Sequence, residues 1–351
     1  MTELNSAAEA GAESPPQAKG ATETGLQRAK PSEELLVLAL DTSTAVLAAA
    51  LTRGGEVLAS VQSPAERNHS AHVVPAVQKL LADAGISPGQ LDGIAAGIGP
   101  GSYTGVRIAA SVAKTLAWAW KLPIVGVSTL EALAVGAWRE HAGQGSEAAA
   151  ASHGGAADAA ASAVAGSMEL AGAGVQADPD RDRPGAAQPD TDRNQRRTVL
   201  AGADAVVASW AVPLIDARRG QAYTALFAAS GREGWQRLET DAIRLASDWA
   251  RRLYERLEIT NAAERPERIV FTGDLEKQEG SISLLESLLA GLPGGAPAVA
   301  RQPHVMEGRS AAWLGSRRLA GGEADDAHAF VPNYTQLAEA EAKLLEKPGE
   351  A

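Results

Sequence analysis

Cysteine is missing from all 351 residues, which removes disulfides, thiolate nucleophiles and cysteine-ligated zinc at once. A reducing cytoplasm suits such a chain. Also missing is any stretch near the roughly 18 to 20 consecutive apolar residues that a membrane-spanning helix needs, and the N-terminus has no basic start followed by an apolar run. A soluble, cytosolic protein is expected. Positive charge is in short supply: 32 Lys and Arg stand against 43 Asp and Glu, a formal net charge of −11. A nucleic acid met by this chain alone faces a repulsive average field, although a local basic patch remains compatible with it. Much of the 45% apolar content is alanine, so the folded part is expected to be shorter than the chain.

Residues 1–33 hold Ala, Glu, Ser, Gly and Pro with too few large apolar side chains to offset the entropy of ordering, and are expected to be a disordered tail. The same composition returns over 141–204, where AAAASHGGAADAAASAVAGS is followed by DPDRDRPGAAQPDTDRNQRR, and this reads as an inserted low-complexity linker. Two domains are expected on either side, 34–140 and 205–305. Helices over 306–345 pack back on them, and 346–351 is a short tail.

In the first domain the buried run LLVLALDTS reads as a strand, and VLAAALTRGGEVLASVQS as two more around an Arg53-Gly54-Gly55 hairpin. A helix follows over Ser70 to Ala84, then the strand LDGIAAG, a helix from Gly105 to Lys121, the strand PIVGV and the helix STLEALAVGAWRE. The second domain repeats the grammar: VVASWAVPLIDA, QAYTALFAAS and GWQRLETDA are three strands. A helix at 247–257, the strand ERIVFTG and helices at 281–289 and 309–319 come next. The chain is thus α/β, two βββαβαβα units. This duplicated order resembles the RNase H-like layout of the actin, Hsp70 and sugar-kinase superfamily, in which the halves face each other across a cleft.

The segment GIGPGSYTGVRIAASVAK sends a strand through a glycine-rich turn straight into a helix, which offers backbone N–H groups and a positive dipole end to an anion. It is neither a P-loop nor a dinucleotide fingerprint, and Ser102 is not set as a nucleophile elbow. A tight connection without a ligand explains it equally well.

GPGSYTGVR closely resembles the GPGSFTGLR element of the TsaB (YeaZ) family. LALDTST, RNHSAHVVPAV, PLIDARRGQAY and VPNYTQLAEAEA agree in order and spacing, so the resemblance spans nearly all of 35–138 and 206–340. The tail and the linker lie outside it, and Tyr334-Thr335-Gln336 stands where the family usually has Tyr-Leu-Arg. The resemblance implies a non-catalytic dimerisation subunit of the complex that makes N6-threonylcarbamoyladenosine (t6A) at adenosine 37 of tRNAs reading codons beginning with A. It also implies a catalytic partner, TsaD, an ATPase partner, TsaE, and contact with tRNA through the complex. No cofactor and no membrane are implied. A self-sufficient actin-like ATPase or kinase and a metallopeptidase are the rival readings.

By the superfamily analogy Asp41 sits where a carboxylate attends magnesium and phosphate, with Thr42, Ser43 and Thr44 beside it. Gly99, Gly101, Ser102, Thr104 and Gly105 form the turn facing it, and Asp216 and Gly273 mark the matching positions of the second half. The DxG turn of an ATPase reads Asp216-Ala217-Arg218 here, and FTGDL offers only Gly273, so the cleft is read as degenerate. His69 and His72 are three apart, where the catalytic relative has a four-apart metal pair. The other histidines, His141, His153, His304 and His328, are distant in sequence or in the linker, so a solvated or capping pair is preferred over a metal site. Arg218 and Arg219 are an anion clamp or simply an exposed turn. The partner surface is placed on two helices of the first half, at Val73, Val77, Leu80 and Leu81, and at Arg107, Ala109, Ala113, Ala117 and Trp120. There the bulky line Ile108, Val112, Leu116 is assigned to the core and the alanine line to a groove, the alternative being tight internal packing.

Overall fold

A computed structural model describes residues 30–64, 69–151, 209–230 and 234–335, with backbone alone over 141–151. Residues 1–29 of the tail expected over 1–33, the tail at 346–351 and most of the expected linker lie outside the described residues, while Lys30 pairs with Asp92 and Ser32–Glu34 form a helical turn. Each half has the order read from the sequence. The first is β1 Leu36–Asp41, β2 Val46–Arg53, β3 Glu56–Pro64, α1 His69–Asp83, β4 Gly93–Gly97, α2 Tyr103–Trp120, β5 Ile124–Val127 and α3 Thr129–Ala151. The second is β6 Ser209–Asp216, β7 Gln221–Ser230, β8 Gly234–Leu245, α4 Ala246–Ile259, β9 Arg268–Gly273, α5 Glu279–Leu289, β10 Ala298–Gln302 and α6 Gly308–Ala320. Some details differ from expectation: α3 runs past the boundary drawn at 140, since alanine carries the helix onward, and 321–335, within the stretch expected to be helical, are turns and irregular backbone. The short strand β10 was not read between Pro297 and Pro303.

The two sheets have one topology, β3-β2-β1-β4-β5 and β8-β7-β6-β9-β10, with antiparallel hairpins on one side of the first strand and parallel neighbours on the other. Strand period 2 sorts the side chains of β1. Leu36, Leu38 and Leu40 join the core under α1 and α2, while Val37 and Ala39 face the second sheet. Each fully buried leucine of this kind contributes about 1.5 to 3 kcal/mol. In the second half Trp210, Val212 and Leu214 of β6 meet α4 and α5 in the same way.

Between the sheets lie α3 and α6, each covering the sheet of the other half. The α6 helix packs on β1, β2 and β4, whereas α3 packs on β6, β7 and β9. Small residues let α6 come close. A Cβ at Gly308 would overlap the backbone of Ala49 and Ala50, and one at Gly315 would overlap Ala95. The α3 helix is apolar nearly all round, with Leu130, Ala132, Leu133, Ala134 and Val135 buried, as a helix between two sheets must be. A buried charge of this helix, Glu131, reaches across the halves. Glu131 Oε1 accepts from Trp235 Nε1 at 3.1 Å and Oε2 from Arg237 at 2.5 Å, while Arg237 also pairs with Asp241 and lies over the Phe227 ring. Burial opposes the charge on Arg237, but Asp241 and Glu131 outweigh it and hold the guanidinium protonated.

The chain beyond α6 covers the β5 edge. Asp325 bridges Ile124 and accepts from Gly126 N, Phe330 is buried, and Asn333 N donates to Ile98 O at 2.7 Å. Gly308→Ala is expected to cost about 1 to 3 kcal/mol, because the new methyl can be accommodated only by lifting α6 from β2. Urea unfolding should show a lower midpoint with an unchanged slope. An unchanged midpoint would mean that α6 is held more loosely than its contacts indicate.

Candidate functional site

The turn between β4 and α2 brings Asp41, Thr42, Ser43, Gly99, Gly101, Ser102 and Gly105 together. Asp41 ends β1 fully buried. Its Oδ1 accepts from Ser43 N at 2.6 Å and its Oδ2 from Thr129 Oγ1 at 2.7 Å, while Thr129 Oγ1 in turn accepts from Gly99 N. Gly97 has to be glycine, since a Cβ would overlap the Asp41 carboxylate. At the start of α2, Ser102 N donates to Ser43 O at 2.7 Å, Ser102 Oγ accepts from Gly105 N at 3.3 Å, and Thr42 Oγ1 donates to Gly105 O at 2.6 Å. Side chains at Gly101 and Gly105 would run into the carbonyls of Ser43 and Thr42. The glycines read as a phosphate cradle therefore admit the β1–β2 turn of the same chain, and two helix-end donors already have partners. Thr104 is exposed on the outer side of this end.

Thr129 was not singled out from the sequence, although a Ser-Thr pair between a strand and a helix was the available signal. Burial pushes the Asp41 carboxyl above the usual range, the bonds from Thr129 and Ser43 and the nearby His69 working against it. His69, expected as one of a solvated or capping pair, opens α1 and is buried. Burial lowers its affinity for a proton against the opposing effects of the Thr44 carbonyl and Asp41. His72 is exposed, and among the described residues no group of three His, Asp or Glu side chains is set to hold a metal.

Asp216 and Gly273 belong to a separate cluster in the second half. Gly273, at φ 96°, lets β9 close against the Leu214 carbonyl and the Leu133 side chain, so it serves packing. Asp216 is held by Lys277 Nζ at 2.7 Å and by Arg218 N at 3.1 Å, and the Lys277 hydrogen bond keeps its carboxyl below the usual range.

The expected partner surface is corrected by burial. Val73, Val77, Leu80 and Leu81 of α1, and Ala109, Ala113 and Ala117 of α2, all lie in the core beneath the two helices. The glycine contacts draw the start of α2 so near β1 that only alanine fits along its inner line, the alternative left open in the sequence. Ile108, Val112 and Leu116 are half-buried on the neighbouring line. Trp120 packs partly buried against the core, while Trp118 is 67% exposed. Arg107 is exposed and lies over Tyr103. It lines a groove of about 330 Å³ with Ser70, Tyr103, Thr104, Ile108 and Val112.

Residues 57–178 match the family model described as TsaD, tRNA N6-adenosine threonylcarbamoyltransferase. The Bacillus subtilis protein TsaB, of tRNA threonylcarbamoyladenosine biosynthesis, is 31% identical over 315 residues, covering 89% of this chain and 99% of that one. A Trichlorobacter lovleyi tRNA N6-adenosine threonylcarbamoyltransferase is 36% identical over 113 residues, 28% of this chain and 33% of the relative. Among solved structures, an uncharacterised Pseudomonas aeruginosa protein with similarity to the peptidase YEAZ superposes with a TM-score of 0.54. Its identity is 22%, and the match covers 86% of this chain and 100% of that one. The two share the duplicated α/β fold.

Because Asp41 binds its proton more readily when folded, its ionisation draws stability away as pH rises from the ordinary carboxylate value through the raised one. Asp41→Asn removes that loss while keeping an acceptor for Ser43 N. The stability of wild type relative to the variant should decline as pH rises above about 4 in urea titrations. A wild type that gains on the variant over that range would place the carboxylate in a stabilising ion pair instead.

Proposed function

This chain belongs to the TsaB family of tRNA threonylcarbamoyladenosine biosynthesis proteins, and from that membership we propose that it is the non-catalytic dimerisation subunit of the complex installing t6A. The transfer to N6 of adenosine 37, in tRNAs reading codons beginning with A, falls to a TsaD partner of similar fold, with TsaE supplying ATPase activity. The setting is cytoplasmic. Among the described residues no helix is long and apolar enough to cross a membrane, which accords with that setting.

The observation that carries the reading is the enclosure of Asp41. In an actin-like ATPase this carboxylate must be open to magnesium-bound phosphate. Here its oxygens are engaged by Ser43 N and Thr129 Oγ1, and the adjoining turn is filled by Thr42 and Ser43. Opening the carboxylate to a phosphate would mean breaking those two bonds and moving the β1–β2 turn off the start of α2. The substrate side of the reaction is thereby left to a second subunit, and this chain's contribution is a surface.

That surface is the outward face of α1 and α2, which includes Val74, Tyr103, Arg107, Val112 and Trp118. Exposed aromatics with arginine, flanking a shallow apolar groove, are the composition of an interface centre. A helix pair of a partner with the same fold would complete a four-helix contact, and a second copy of the chain could occupy the same face when the partner is absent.

Val112→Arg should reduce capture of the TsaD partner at least tenfold with the circular dichroism spectrum unchanged, since the arginine reaches water in the free chain. Ala113→Arg should instead unfold the chain, because that position has no exposure to give. Co-purification from cytoplasm, read beside the two spectra, checks both. A folded Val112→Arg chain with full capture would move the interface elsewhere, and failure of the wild type to retain any TsaD would end the subunit reading.

A further inference from the structure

The β6–β7 turn is an unusual place for two arginines. Arg218, Arg219 and Gly220 are consecutive residues with φ of 67°, 54° and 75°. Hairpin turns ask for such left-handed residues and usually receive Gly, Asn or Asp, because a Cβ is disfavoured there. The turn is nevertheless firmly built. Gln221 N donates to Arg218 O at 2.9 Å and Ala217 N to Gln221 O at 3.0 Å. Asp216 Oδ1 accepts from Arg218 N, its Oδ2 from Lys277, and its own N–H donates to Asp274 Oδ2. Asp216 and Asp274 thus engage the turn backbone, and Asp216 also pairs with the exposed Lys277. The guanidinium groups of Arg218 and Arg219 are exposed, and neither has a hydrogen bond or ion pair among the described residues. Left-handed strain persists where its surroundings impose it, and here its product is two solvent-exposed guanidinium groups on a fixed turn, with Arg218 near enough to Asp216 to help hold that carboxyl low.

We infer that this turn holds phosphate groups of the tRNA backbone during t6A formation. Guanidinium forks match phosphate oxygens in pairs, and such contacts orient a nucleic acid without reading its sequence. An exposed turn suits a long polyanion passing over it better than a small nucleotide, which would need enclosing walls. The assignment also gives an acidic chain a local site of the opposite sign. It rests on the function proposed above and adds to it a direct contact between this subunit and the RNA.

The test is fluorescence anisotropy with a labelled, unmodified tRNA transcript and the full-length chain assembled with its TsaD partner, in salt from about 50 to 200 mM. The wild type is compared with the double variant Arg218→Asn, Arg219→Asn. Asparagine tolerates left-handed backbone, so the variant should melt no lower than wild type. Its affinity should fall about three- to tenfold, and the plot of log affinity against log salt should flatten by about one to two phosphate contacts. The lysine pair Arg218→Lys, Arg219→Lys should keep most of the slope. Unchanged affinity and slope in the asparagine variant would overturn the inference. So would loss of partner capture in the absence of RNA, which would assign the arginines to a protein surface. Weakened binding of ATP with intact binding of tRNA would give the phosphate to a free nucleotide and overturn it likewise. If no partner assembles, the proposed function has failed on its own. The comparison is then run on the chain alone at low salt, where the wild type must still bind tRNA more tightly than the variant for the contact to stand.

Discussion

The structure depends on an exchange of helices. Each half makes a five-stranded sheet and covers one face with its own two helices, then gives its final helix to the other half. Neither sheet has a complete core without the opposite end of the chain, so the halves are bound as layers of one interior and the space between them is filled. The Glu131–Arg237–Asp241 group sits in that interior. A buried ion pair of this kind adds little over apolar packing, but loss of one partner leaves a buried charge, at a cost of about 3 to 5 kcal/mol. Its location between α3 and β8 makes it a fixative of register, since any sliding of one half on the other unpairs it.

Most of this architecture was legible in the sequence because local signals were strong and mutually consistent. Leu36 to Asp41 reads as a buried strand, Arg53-Gly54-Gly55 as a hairpin, and Gly105 to Lys121 as a helix, and each appears within a residue or two. The duplicated order followed from these alone. β10 escaped notice because five residues between prolines, with no fully buried side chain, carry no periodicity to detect. The exchange of α3 and α6 was also invisible, because periodicity tells which side of a helix is buried but not which sheet buries it.

The site was legible as a cluster and misread as a surface. The glycines around Asp41 do converge, yet a glycine needed for a phosphate and one needed for a neighbouring carbonyl leave the same mark in sequence. On α2 the error had a definite physical source. A bulky apolar line next to an alanine line was assigned by size, on the assumption that large residues seek the core. Distance decided otherwise: α2 lies so close to β1 and β4 that the alanines fill the gap and Val112 and Ile108 are turned partly outward. What makes a face available is therefore set by the glycine contacts at the helix start.

The exchange of helices also bears on how such a protein is made. Ribosomes deliver the first half long before Gly308 to Ala320, the helix that covers the inner face of its sheet. Until that last helix emerges, Val37, Ala39, Val125 and their neighbours have nothing to pack against, and the nascent first half must wait with one apolar face uncovered. Completion is then a single late event in which both sheets are closed together. A chain truncated before α6 is accordingly a different object from a shortened version of this protein: a half-covered sheet, suited to capture by a chaperone rather than to folding.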